Sequence, residues 1–144
     1  MIEKDTIKLL RECDAGVRMG VSSIDDVLEY TDDDSLKQYL SECKKDHKQL
    51  EKEIRAELDR FGDEGKSPNP IAKGMSWLKT NAELAFNESD ETVASLITDG
   101  CNMGVKSLNK YLNQYEAADE KSKDIAKKLI NLEERLAVDI RQYL

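Results

Sequence analysis

Apolar residues recur along this chain at intervals of three and four in four separate series, each bounded by residues that start or stop helices. Leu10, Cys13, Val17, Gly20, Ile24 and Val27 form the first series, and that spacing puts them on one helix face. Asp5 is placed to act as its N-cap, and the helix is predicted to run to about Tyr30. Thr31-Asp32-Asp33-Asp34 interrupts the pattern, and Ser35 with Gln38 predicts a capping box for the next helix. The second series is Leu36, Leu40, Cys43, His47, Leu50, Ile54, Leu58 and Phe61, closed by Gly62 as a left-handed stop. On its outer face Glu51 and Arg55 are spaced to pair.

Residues 62–69 are polar and rich in Gly, after which Asn69-Pro70 supplies an N-cap and a first-turn proline. A short helix is predicted from there to about Phe86, with Ile71, Met75, Leu78, Ala82 and Ala85 on its apolar face and Trp77 beside it. A third long helix starts near Ser89 or Asp90 and carries Val93, Ile97, Cys101, Gly104, Leu108, Tyr111 and Tyr115. The fourth starts near Asp119 and carries Ile125, Leu129, Leu132, Leu136, Ile140 and Tyr143 to the end of the chain.

The first and third helices share a motif. Cys13-Asp14-Ala15-Gly16-Val17-Arg18 returns as Cys101-Asn102-Met103-Gly104-Val105-Lys106, and in the following helices Leu36, Leu40, Cys43 and His47 match Ile125, Leu129, Leu132 and Leu136. Two related hairpins, 5–62 and 89–144, are therefore expected within a single domain spanning 1–144, joined by a crossover over 63–88. Helices of roughly 25 residues are about 38 Å long, a distance the connection can span if about 17 of its residues are helical. Such a crossover sets the two hairpin turns at opposite ends of the bundle, in up-down-down-up order.

Composition agrees with helices that each bury one stripe: 36% of residues are charged against 39% apolar and 6% aromatic. The net charge of −8 disfavours nucleic acid and anionic membrane surfaces as partners. No leader-like segment opens the sequence and no 18 apolar residues are consecutive, so the expected location is cytoplasmic. Three cysteines without extracellular framing predict reduced thiols rather than a disulfide scaffold.

With Asp99-Gly100-Cys101-Asn102-Met103-Gly104 and Tyr111-Leu112-Asn113-Gln114-Tyr115 as its most recognisable strings, nearly the whole chain resembles the ferritin-like superfamily, in particular an uncharacterised bacterial branch of unknown function. The resemblance implies an all-α, ferritin-like four-helix bundle of two hairpins joined by a long crossover that carries a short helix. Active members of that superfamily hold two irons with a carboxylate from each of two helices and a Glu-x-x-His from each of the other two. This chain has a single histidine, His47; Lys44 stands three residues before it, and Glu133 and Glu134 are followed by none.

Cys43 and His47, four apart on one face, are the weak metal candidates, since a soft cation can bridge such a pair. Two ligands do not close a site, and a neutral, partly buried, hydrogen-bonded core histidine is the expected state; in the metal-binding case Asp46 or a carboxylate on a facing helix would hold the unprotonated ring. Cys13 and Cys101 are read as small packing residues that let a helix approach. Glu12, Asp46 and Asp99 flank these positions and are expected at the surface. Tyr111, Tyr115 and Tyr143 are expected to close the ends of the bundle. No phosphate loop, nucleophile elbow or nucleotide fingerprint occurs. The expected function is a non-catalytic structural or interaction module without cofactor, with a protein partner or a second copy of the chain as its contact. The alternative is a metal-binding or oxidative-stress protein with a reduced Cys/His/carboxylate ligand set.

Overall fold

A computed structural model describes residues 2–66 and 88–144. These residues form four long helices and no strand: α1 (Ile2–Leu28), α2 (Asp34–Arg60), α3 (Asp90–Gln114) and α4 (Glu120–Asp139), with a closing 3-10 turn at Ile140–Tyr143. The predicted helix over 70–86, including Met75 and Trp77, lies outside the described residues.

The helix ends show which local signals decided. Asp33 caps α2 by accepting from the Leu36 amide, Ser89 caps α3 by accepting from Thr92, and Asp119 caps α4 by accepting from Ser122. The predicted Ser35 capping box gives way to Asp33, two residues earlier. Asp5 is likewise not a cap: α1 begins at Ile2, and Asp5 accepts instead from the Ala117 amide in the loop between α3 and α4. At the end of α2, Gly62 has φ +68°, its amide reaches the Asp59 carbonyl, and the Asp63 amide reaches the Leu58 carbonyl. That bond pair is a Schellman closure, and it needs the left-handed residue the sequence provides.

Contacts between helix ends fix the directions. Thr6 and Asp5 near the start of α1 hold the α3–α4 loop through the Asp119 and Ala117 amides, while Asp90 at the start of α3 receives the Asp32 and Asp33 amides of the α1–α2 loop. Tyr39 near the start of α2 donates to Asp139 at the end of α4, and Arg60 at the end of α2 faces Asp119 at the start of α4. Thus α1 and α4 run one way, α2 and α3 the other, and the two turns lie at opposite ends.

The core divides into two apolar clusters. One contains Leu9, Leu10, Cys13, Val17, Leu50, Ile54, Leu58, Leu108, Ile125 and Leu129; the other contains Ile24, Val27, Leu36, Leu40, Val93, Ile97, Cys101, Leu136 and Ile140. Each fully buried Leu or Ile contributes about 1.5–3 kcal/mol. The repeat partners Cys13 and Cys101 fall in different clusters. His47 lies at the waist between them.

Candidate functional site

His47 reaches the waist because the spacing of three and four along α2 carries it inward between Leu40 and Leu50, and it is 1% exposed. Its Nδ1–H donates to the Cys43 carbonyl one turn back, 2.7 Å away, and its Nε2 lies 2.7 Å from Oε1 of Glu133 on α4. Glu133 is itself buried, and the Cys101 thiol on α3 hydrogen-bonds to it. On the α1 side Gly20 is pressed against the pair: a Cβ there would lie 2.9 Å from His47 Cδ2 and 3.3 Å from Glu133 Oε1. Only a residue without a side chain admits the imidazole at this level.

Burial pulls the His47 pKa down, but the Glu133 hydrogen bond and charge, the Cys43 carbonyl and the charge of Asp46 together hold it above its ordinary value. Against the expected neutral imidazole, this shift favours the cation more than in a free ring, with the Glu133 carboxyl group set against Nε2. Its acceptor is Glu133, whereas Asp46 is exposed.

Cavities flank the pair on both sides. One of about 460 Å³ lies between α1 and α3, with Gly16, Gly20, Gly100 and Gly104 in its walls and His47 and Glu133 in its lining. A smaller one of about 200 Å³ reaches His47 from the α2–α4 side past Tyr39, Cys43 and Arg135.

The thiols are chemically quiet. Burial pushes Cys13 up to about 12, with the charges of Glu12 and Asp14 adding to the effect, and it pushes Cys101 up as well, with Glu133 reinforcing it. Cys43 is half-buried and also raised by burial, against the neighbouring Tyr39 hydroxyl, which lowers it. A thiolate is thus disfavoured at each position.

Sequence reasoning placed Leu132 in the core stripe of α4, but Leu132 is only half-buried and Glu133 turns fully inward. The series Leu129, Glu133, Leu136 and Ile140 keeps the same alternation of four and three, so the pattern alone fitted either residue; the buried histidine opposite, which needs an acceptor, was the available signal. Asp14 was passed over as well. It is wholly buried on α1, between Arg18 at 3.2 Å and Arg55 at 3.3 Å, and it accepts from the Lys66 amide. Gly65, at φ +85°, has no room for a side chain beside it. Arg55 therefore turns to Asp14 and the Glu64 carbonyl rather than pairing with Glu51, which faces Arg18. Glu12 pairs with Lys66, Arg11 pairs with Asp63, and Asp99 is exposed at the cavity rim. Tyr111 and Tyr115 stack near one end with ring centroids 6.2 Å apart, and Tyr143 lies in the closing turn at the other.

Among the described residues no three His, Cys, Asp or Glu side chains are grouped to share a metal ion, and no helix is long and apolar enough to cross a membrane. No family model, curated protein or solved structure matches this chain.

Proposed function

We propose that this chain is a ferritin-like bundle, two hairpins joined by a crossover, that serves in the cytoplasm as a non-catalytic structural or interaction module for a protein partner or a second copy of itself. The observation that carries the reading is the engagement of His47: the residue with most capacity for metal or acid–base chemistry spends one ring nitrogen on its own helix and the other on bridging α2 to α4. A metal would have to displace the Cys43 carbonyl or the Glu133 carboxylate to reach it. The raised thiol pKa values oppose a redox role in the same way. The turns at opposite ends and the repeat motif support the ferritin-like arrangement, and the acidic surface supports a partner other than nucleic acid or an anionic membrane.

Titrating the apoprotein with zinc and with ferrous iron at about pH 7.5, beside His47→Gln, tests the reading. Neither metal is expected to bind the wild type at micromolar or tighter affinity. Tight binding in the wild type that is lost in His47→Gln would move the protein to the metal-binding class.

A further inference from the structure

Both nitrogens of His47 face acceptors. A backbone carbonyl can only accept, so the contact with Cys43 requires Nδ1 to carry a hydrogen, and a neutral ring would then turn the Nε2 lone pair toward Glu133 Oε1 at 2.7 Å. A lone pair facing a carboxylate oxygen at that distance is repulsive. The observed geometry therefore calls for one more proton between the two groups, on Nε2 as an imidazolium or on Glu133 as the neutral acid, and the raised His47 pKa favours Nε2.

We infer that His47 and Glu133 form a one-proton latch between α2 and α4, and that loss of this proton to solvent swings the Glu133 carboxylate toward α3. The ring cannot supply the movement, because it packs against Gly20 on α1 and is tied through Nδ1 to its own helix. Glu133 can. A Cβ on Gly104 would still stand 3.9 Å from the Glu133 carboxylate, so α3 leaves space there, and the Cys101 thiol already donates to that group. The cavity of about 460 Å³ beside it is several water molecules in size.

Other charges around the ring modify the latch without replacing it. On α2, Glu42 and Asp46 face the smaller cavity with His47, and Arg135 on α4 faces it with opposite sign. On the larger cavity α1 contributes Glu12, which is paired with Lys66, and α3 contributes Asp99 and Cys101. Glu133 alone among these lies within hydrogen-bond distance of Nε2.

Because the chain has one histidine, its imidazole resonances report this site without overlap. Long-range proton–nitrogen correlation spectra of the full chain, recorded from about pH 5 to about pH 9, follow both ring nitrogens through the titration range of histidine. In the wild type both nitrogens should be protonated up to a midpoint above the ordinary 6.5, with Nε2 the one that then loses its proton. In Glu133→Gln the midpoint should fall by about one pH unit or more, since the amide offers no charge and can donate to a neutral Nε2. Above the wild-type midpoint, cross-peaks between the Glu133 γ protons and the Gly104 α protons should strengthen as the carboxylate moves toward α3. A wild-type midpoint at or below 6.5, an Nε2 that is never protonated, or an unmoved midpoint in Glu133→Gln would overturn the latch; unchanged Glu133–Gly104 cross-peaks would overturn the swing. If Glu133→Gln does not fold, the wild-type titration and its cross-peaks decide the question alone.

Discussion

Asp14 and the His47–Glu133 pair are both ionisable sites in the interior, one on the α1–α2 face beside the chain leaving α2, the other at the waist between the two apolar clusters. Around Asp14 the cations stand at 3.2 Å and 3.3 Å, and the side chains of Arg18 and Arg55 are 30% and 32% exposed. Water screens them, and burial prevails: the Asp14 carboxyl is pushed up despite the Lys66 amide and Arg55. Around His47 the acceptor is at 2.7 Å and nearly dry, and the partners prevail over burial. A partner offsets desolvation only when it is close and is itself shielded. Asp14 accordingly ties down the segment after α2 through several modest contacts, whereas the waist depends on one strong one.

The sharpest way to break this comparison is to remove one member of each site. His47→Leu leaves a buried carboxylate facing apolar atoms and should cost about 3–5 kcal/mol in urea unfolding, whereas replacing both His47 and Glu133 with Leu should recover most of that loss. A double variant no more stable than the single one would show that packing, not charge, sets the waist. Gly20→Ala should cost about 1–3 kcal/mol, because its Cβ meets the ring and the carboxylate at once; a neutral result would mean that the pair yields easily. Asp14→Asn should cost less, about 1–2 kcal/mol, since Arg18 and Arg55 can turn to water when the charge is gone. A larger loss than in His47→Leu would reverse the ranking of the two sites.

The smallest effect is the pH slope. His47 has a folded pKa above its ordinary 6.5, so its contribution is complete below 6.5 and is lost as pH rises through the raised value. Unfolding free energy should therefore fall with rising pH in that window, at no more than about 1.4 kcal/mol per pH unit for one proton, and His47→Gln should flatten the fall. Asp14 acts with the same sign in a lower window that opens at 3.8, so acidification should separate the two sites in one set of urea curves.

The helix start was legible at Asp119, lay between Ser89 and Asp90 at α3, and was ambiguous where acids clustered, as at Asp32, Asp33, Asp34 and Ser35. His47 was legible as a buried residue because a stripe of apolar positions three and four apart runs on both sides of it. Its protonation was not, because that depends on Glu133, a residue 86 positions away.

By itself, the sequence determined the four helices, their inward faces and the Gly62 stop, because periodicity, capping and left-handed conformation are set by residues within a few positions of one another. Tertiary structure alone decided that Glu133 rather than Leu132 turns inward, that Arg55 leaves Glu51 for Asp14, and that the single imidazole has its pKa raised. Each of these choices is an electrostatic balance between a buried group and partners on other helices, and the distances and burial that set such a balance exist only once the helices are packed.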